Sequence, residues 1–476
     1  MEKYDVLIIG AGVIGTSVAR YLSRFKVNAC VLEKHNDVGD ETTNANSAIV
    51  HSGYDPKPDT VKAKFNVLGN KMMPKLCEEL DVPFIKNGSI TVGFNEEDVE
   101  TINMLHERAK ANGVTSKIVN KEELKQLEPN LSDKAVVGLY CEDSGIVSPF
   151  NLCVSLMENA MDNGVKLHLN EEVKDIKKLD GYYKVITSKN EYEAKAVVNC
   201  TGVNGDVITS MLEEPKFKII PRKGEYIVLD HFNDNWIKHT LFMCPTKLGK
   251  GVLVSPTTSR NYIVGPSSTL SEKDDTSTDS ETFAFLKETA AKLVDNIPYQ
   301  FAIREFSGIR PNPDCEDFII EESKLNENFF NVSGIMSPGL ASSPAIGEYV
   351  SNLVKEKLHL EENKEFKPTI KKHVYKPSGE ELNKLIKEDK KFGHIICRCE
   401  TVSEGQIIDV IHRNCGATTI KGVKKRIRPG FGRCQGTFCQ EEVLKILARE
   451  LHKTKNKILY NELGTNVLKY PSKKGE

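Results

Sequence analysis

Apolar residues dominate from Tyr4 to Ile9 and stop at Gly10, the pattern of a buried strand. Past the turn Gly10-x-Gly12-x-x-Gly15 the period lengthens to that of an amphipathic helix reaching about Phe25. A second strand, Asn28 to Leu32, ends in Glu33. Further along, Pro83 to Phe94 reads as strands, Glu96 to Asn112 and Ser148 to Asn163 as helices, and Glu191 to Cys200 as a strand closing on Thr201-Gly202. Ser267 to Glu281 is polar without period and predicts a loop. Phe329 to Val354 reads as strand, glycine-rich turn (SGIMSPGLASSPAIG), helix. His359 to Lys391 is charge-dense, holds Pro368 and Pro377, and predicts a linker with a short helix. A last module spans about Gly393 to Leu451, and the end in PSKKGE predicts a frayed tail.

The first βαβ unit has a chemical meaning. Its glycines allow a tight turn and close backbone approach, and the helix N-terminus faces a pyrophosphate. Glu33 stands where a carboxylate holds a ribose hydroxyl pair. Strand, helix, second strand and acidic residue in register predict a dinucleotide site, with NAD and FAD both open.

Composition narrows the class. A chain of 476 residues supports two or three cored domains, and 39% hydrophobic with 28% charged residues is a globular balance. The net charge of −2, from 65 basic and 67 acidic residues, offers no general attraction for nucleic acid or an anionic membrane. No apolar run approaches the ~20 residues of a membrane span, and the N-terminus lacks the features of a signal peptide. The expectation is a cytoplasmic protein, soluble or peripheral to a membrane.

Four of the twelve cysteines cluster: Cys397-x-Cys399, 34 residues, then Cys434-x4-Cys439. Four thiolates hold zinc or an iron–sulfur cluster, and the one-residue spacing of the first pair leans away from zinc knuckles. The other eight cysteines, Cys415 among them, read as buried free thiols. Thr401-x-x-Glu404 and Thr437-x-x-Gln440 read as capping boxes that set each cysteine pair near a helix N-terminus. Lys424, Lys425, Arg426, Arg428 and Arg433 form either a solvated basic face or a surface that offsets cluster charge and docks an acidic electron carrier.

The stretches ETTNANSAIVHSGYDPKPDTVKAK, IIPRKGEYIVLD, FSGIRPNPDCEDFII and SGIMSPGLASSPAIGEYV, in that order over about residues 1 to 355, resemble the FAD-dependent D-amino-acid-oxidase superfamily. Within it they are similar to glycerol-3-phosphate oxidases and dehydrogenases and to L-2-hydroxyglutarate dehydrogenases. HIICRCETVSEGQI and GRCQGTFCQEEVLKIL resemble the bacterioferritin-associated-ferredoxin-like [2Fe–2S] domain. The resemblance implies an α/β fold: a Rossmann-like FAD-binding domain interleaved with an α+β, sheet-based substrate domain, and a small helical [2Fe–2S] domain. The expected division is 1–358 for the oxidoreductase, with FAD-binding parts about 1–82, 146–215 and 311–358 and substrate parts about 83–145 and 216–310. A linker at 359–392, the cluster domain at 393–455 and a tail at 456–476 complete it.

Carried over residue by residue, the resemblance implies FAD contacts from Gly10, Gly12, Gly15, Glu33, Thr43, Ser47, Gly202, Gly339, Leu340 and Ala341, and cluster ligation by Cys397, Cys399, Cys434 and Cys439. His51 is the expected proton acceptor: oxidising a secondary alcohol releases a hydroxyl proton, and imidazole, with an unperturbed pKa of ~6.5, takes it near neutral pH. Arg310 is the expected anion clamp, since guanidinium grips carboxylate or phosphate in bidentate fashion. Arg260 is a second cation, with a solvated salt bridge as its plainer reading. Ser337 and Ser342 are further hydrogen-bonding candidates.

These residues together predict an FAD-dependent dehydrogenase of a small anionic alcohol. The expected reaction is oxidation of sn-glycerol 3-phosphate to dihydroxyacetone phosphate, with electrons passing from FAD to the [2Fe–2S] cluster and then to an acceptor protein or partner subunit. L-2-hydroxyglutarate or another 2-hydroxy acid is the alternative substrate, and a non-catalytic electron-transfer or iron–sulfur scaffold is the alternative of another class.

Overall fold

The computed structural model describes residues 1–245 and 251–469; the PSKKGE end, predicted as a frayed tail, therefore lies outside the described residues. The first strand, Glu2–Ile9, lies at the centre of an eight-stranded sheet, parallel to Ala29–Glu33 on one side and to Glu191–Asn199 on the other. Register sets Ile9 beside both Leu32 and Asn199, so three strand ends open at one edge. Lys166–Leu169 extends the sheet beyond Ala29–Glu33, and Phe329–Ser333 pairs with the last residues of Glu191–Asn199. Both faces of the central strands are apolar because both are covered. Val6 and Ile8 pack under the helices Val13–Leu22 and Gly339–Leu358, and Leu7 and Ile9 pack on the other side with Tyr183 and Tyr192.

The helix Val13–Leu22 can approach its strand only because Gly10 and Gly15 lack side chains. A Cβ on Gly15 would fall 1.9 Å from the Gly10 carbonyl oxygen, and Gly10 itself holds φ +99°.

A second, nine-stranded sheet contains the long antiparallel ladder of Ile219–Leu229 with Ala302–Pro313. Alternation puts Arg222, Gly224 and Tyr226 on one face, opposite Arg310, Gly308 and Phe306. Lys223 and Glu225 point to the other face, towards Asp275 and Asp279. The sheet comes close to the first domain at Gly308, where an added Cβ would lie 2.4 Å from the Ala45 carbonyl oxygen. The predicted loop over Ser267 to Glu281 contains a two-residue strand, Thr269–Leu270, paired with Arg222 and Lys223, and its last residues begin the helix Ser280–Ala290.

The linker region begins as a strap rather than a free tether. Asn159 donates to the carbonyls of Lys367 and Thr369, and the backbone N–H of His373 donates to Asp81. Its helix, Gly379–Glu388, buries no residue. The C-terminal module has its own core, in which Val402, Ile407, Val423, Val443 and Leu447 pack with Cys397 and Cys439. Among the described residues no helix is long and apolar enough to cross a membrane.

Candidate functional site

A cavity of about 1080 Å³ runs along the open strand edge and under the second sheet. That is the upper end of the ~300–1,000 Å³ usual for ligand pockets. Gly10, Gly12, Glu33, Thr43, Ser47, His51, Gly202, Arg310, Gly339 and Leu340 all line it, so one chamber gathers residues predicted from five separate stretches.

At one end Glu33 is buried. Its two carboxylate oxygens accept the N–H groups of Ala11 (2.7 Å) and His35 (2.9 Å), and burial raises its pKa against those bonds. The carboxylate keeps further lone pairs for ribose hydroxyls. The N-terminus of Val13–Leu22 has Gly12 as its cap and so no capping side chain; Thr43 Oγ accepts from Val13 N at 3.0 Å. A second helix N-terminus, Pro338–Gly339, is likewise without a side-chain cap and borders the same cavity. Two uncapped helix N-termini and a buried acidic residue in one long cleft suit a dinucleotide with a pyrophosphate and an electron-rich ring.

Three predicted residues are placed differently. Gly15 and Ala341 do not border the cavity: Gly15 is packed on Gly10, and the Ala341 carbonyl lies against Gly69. Gly15 lets its helix approach the first strand, and Gly69 lets the helix Val61–Glu79 approach Ala341. Arg260 is a correction. It is exposed, away from the cavity, and paired with Asp234 at 2.7 Å, because the turn between two strands turns it outward with φ +71°. Ser337 borders the cavity, whereas Ser342 is buried in its helix and donates to the Pro338 carbonyl.

His51 follows the short strand Ile49–Val50 and stacks on Phe242 with ring centroids 5.6 Å apart. Its carbonyl oxygen accepts from Asn66 (2.6 Å) and Asn70 (3.2 Å), which pins the backbone beneath the ring. Arg310 Nη2 donates to the Ser267 carbonyl at 2.6 Å, and its guanidinium lies across Gly224, where an added Cβ would come within 2.2 Å. Sequence reasoning missed Phe242, Asn66, Tyr226 and Arg222. Tyr226 lines the cavity with its hydroxyl 3.0 Å from Ser47 Oγ, and Arg222 is the register partner of Arg310. Strand register reveals Arg222 beside Arg310, and packing between separate elements brings Phe242, Asn66 and Tyr226 to His51 and Ser47.

In the C-terminal module, Cys399 and Cys434 Sγ lie 3.7 Å apart, and the hydrogen bond from Cys439 draws the Cys397 thiol below the usual thiol range. Two metal–thiolate bonds of ~2.3 Å at a tetrahedral angle span about 3.7 Å. The donor set is therefore two thiol pairs. Among the described residues no three His, Cys, Asp or Glu side chains gather as a single-ion site. Paired thiols suit a two-iron cluster better than one zinc ion. Cys397 and Cys439 are buried, whereas Cys399 is exposed and Cys434 half-buried.

The capping boxes predicted here are corrected. Ser403 and Gln406 cap the helix Glu404–Ile411, while Thr401 has φ +55°; Cys439 occupies the N-cap position of Gln440–Glu450 without a side-chain cap bond, and Thr437 donates to the Cys434 carbonyl. Of the eight remaining cysteines seven are buried and Cys315 is exposed.

The basic run divides: Lys425 and Arg426 are turned inward to carboxylates, Lys424 is buried over the Phe431 ring, and Arg433 keeps an exposed side chain. Arg426 makes a bidentate pair with Asp37 (2.8 and 2.9 Å), and Lys425 reaches Asp37 (3.0 Å) and Asp40 (3.2 Å), all four side chains buried. Burial would raise the Asp37 carboxyl, but Arg426 and Lys425 hold it well below the usual carboxylate range. Arg428 binds Glu400 and Asn261, and Arg433 binds Asp230. Lys425 and Arg426 lock the module onto the loop that carries Asp40 and Glu41 into the cavity wall, and Arg428 and Arg433 reach Asn261 and Asp230 of the oxidoreductase part. A sequence pattern of five basic residues shows charge but not the carboxylates brought to it from nearly 400 residues away.

Comparison with known proteins agrees with this geometry. Residues 5–353 match the family model described as FAD dependent oxidoreductase, and residues 395–449 match the BFD-like [2Fe-2S] binding domain. A "Glycerol 3-phosphate dehydrogenase" of Caloramator mitchellensis is 45% identical over 99% of both chains. A "Glycerol 3-phosphate oxidase" of Mycoplasma genitalium is 33% identical over 75% of this chain and 96% of its own. The solved structure of dithionite-reduced L-alpha-glycerophosphate oxidase from Mycoplasma pneumoniae with FAD bound superposes with a TM-score of 0.74 at 32% identity, covering 78% of this chain and 99% of that one.

Proposed function

This chain belongs to the FAD dependent oxidoreductase family, and on that premise we propose that it oxidises sn-glycerol 3-phosphate to dihydroxyacetone phosphate. It is an FAD-dependent dehydrogenase acting on a CH–OH group, with FAD and a [2Fe–2S] cluster as its cofactors. The observation that carries the substrate is the 45% identity to a glycerol 3-phosphate dehydrogenase along the whole chain, cluster module included.

Gly10, Gly12, Glu33, Thr43, Ser47, Gly202, Gly339 and Leu340 hold FAD along the cavity, with Gly15 and Ala341 shaping its walls from behind. Cys399 with Cys434 and Cys397 with Cys439 hold the cluster. FAD, when bound, would supply a hydride acceptor for the carbinol carbon, and the cluster a one-electron carrier. His51 takes the hydroxyl proton as the carbonyl forms, kept in orientation by Phe242 and by the two asparagines under its backbone. Arg310 holds the anionic end, pre-positioned by the Ser267 carbonyl. The exposed Cys399 marks the edge at which an external acceptor would approach a bound cluster.

The test is an anaerobic titration in which flavin bleaching and then cluster reduction are followed for each substrate. Glycerol 3-phosphate is expected to bleach the flavin. Bleaching by L-2-hydroxyglutarate but not by glycerol 3-phosphate would replace the substrate, and bleaching by no small alcohol would favour a scaffold. His51→Ala is expected to slow flavin reduction by ~10²–10⁴. A change below about tenfold would leave His51 a structural part.

A further inference from the structure

Arg222 and Arg310 are paired in register on the same face of the long ladder, and both line the cavity. Like charges directly opposite one another weaken a sheet unless something offsets them. Here the partners are neutral. Arg222 Nε donates to Ser268 Oγ (3.1 Å) and its Nη2 to the Ser268 carbonyl (3.3 Å). Arg310 Nη1 donates to the same Ser268 Oγ (3.4 Å) and its Nη2 to the Ser267 carbonyl (2.6 Å). Among the described residues neither guanidinium has a carboxylate partner, whereas Arg20, Arg260, Arg413, Arg426 and Arg428 each have one.

The shared hydroxyl adds a constraint. A serine oxygen has two lone pairs and one hydrogen. Both lone pairs of Ser268 are taken by the two arginines, so its O–H is left to donate, and among the described residues it has no acceptor. Two guanidiniums and one hydroxyl thus present donors at one place, with a formal charge of +2. A carboxylate, with two oxygens and one charge, is satisfied by one bidentate guanidinium. A phosphate monoester has three terminal oxygens and carries nearly two charges near neutral pH.

We propose that Arg222 and Ser268 complete, with Arg310, a subsite for the dianionic phosphate of the substrate, and that Arg222 selects phosphate monoesters of small polyols over hydroxy acids. This rests on the glycerol phosphate reading and deepens it. Gly224 belongs to the same device, since only a residue without Cβ lets the Arg310 guanidinium lie beside the strand and meet Ser268.

The test uses the full chain with both cofactors. Binding of glycerol 2-phosphate, a non-reacting probe, is read from the flavin absorption spectrum, and kcat and KM are measured for sn-glycerol 3-phosphate. Arg222→Gln is expected to raise the probe Kd and the KM by about 10–100-fold, the range for losing a charge-assisted contact, with kcat within about threefold. Arg222→Lys recovers part of the loss, and Ser268→Ala gives a smaller rise. Wild-type affinity for the probe increases as pH rises through ~6, where the phosphate becomes a dianion, and Arg222→Gln flattens that rise. Arg222→Gln within threefold of wild type in Kd and KM overturns the proposal. So does a variant that loses FAD yet binds the probe normally once FAD is resupplied. Wild-type flavin bleached by L-2-hydroxyglutarate and insensitive to both glycerol phosphates overturns the substrate reading itself, and is seen before any variant is compared.

Discussion

At the scale of single residues, the site depends on side chains that are held by neighbours and on one that is absent. Gly224→Ala would put a carbon 2.2 Å from Arg310 Nη2, so the guanidinium must leave its place. The expected result is a KM for the anionic substrate raised by about tenfold or more with FAD content unchanged, measured by steady-state kinetics beside flavin absorbance. His35 offers a pH test. Burial lowers its pKa, but the hydrogen bond to Glu41 (3.1 Å) and the charge of Glu33 outweigh it, so the net shift is upward. Burial also works against Glu41, whose carboxyl is nonetheless held at about 2 by His35 and Lys34. A raised histidine stabilises the fold fully below ~6.5, and the contribution fades as pH rises through the folded value. The melting-temperature gap between wild type and His35→Gln should therefore be largest near pH 6 and close towards pH 9. Partial exposure limits it to at most about 1 kcal/mol.

At the scale of elements, the helix Ile420–Ile427 is the joint between the two cofactor domains. Its polar residues look like a surface in sequence, yet Lys425 and Arg426 are buried against Asp37. Asp37→Asn leaves both cations without their main partner, at a cost of about 3–5 kcal/mol. The module should then detach more readily, seen as faster hydrogen exchange over 393–455 with little change in the core sheet. The same element scale explains what was legible. The strand–turn–helix around Gly10 to Gly15 and the glycine turn at Gly339 follow from local period and glycine spacing. The predicted helix caps at the cysteines failed because Ser403 offers the same chemistry two residues later, and spacing alone does not choose between them.

At the scale of the whole molecule, two units of unequal independence share one chain. The oxidoreductase part has large cores on both sides of its sheet, whereas the module of roughly 55 residues matched at 395–449 is small and counts Cys397 and Cys439 among its core residues. Removing the cluster should therefore unfold the module first, since metal binding and folding are coupled in domains of this size. After reduction and chelation, limited proteolysis is expected to yield a fragment ending near the unburied helix Gly379–Glu388 that still holds FAD. Loss of FAD at the same rate as the module would show that the lock at Asp37 and Asp40 also supports the cofactor loop.

By itself the sequence determined that a dinucleotide site and a four-thiolate metal centre share this chain, while FAD and [2Fe–2S] were singled out by motifs that resemble known families. The glycine turn before Glu33 and the four clustered cysteines act through backbone conformation and ligand type, which are local properties, and so they can be read from residues close in the chain. It also pointed to His51 and Arg310, through motifs that resemble a family. Tertiary structure alone decided what those residues face. Arg222 stands beside Arg310 only through an antiparallel register spanning 88 positions, Arg260 is turned away by a strand-connecting turn, and the basic helix is inward because Asp37 lies across the interface. Charge is written in the sequence, but its partner is a matter of distance, and distance between remote residues exists only once the chain is folded.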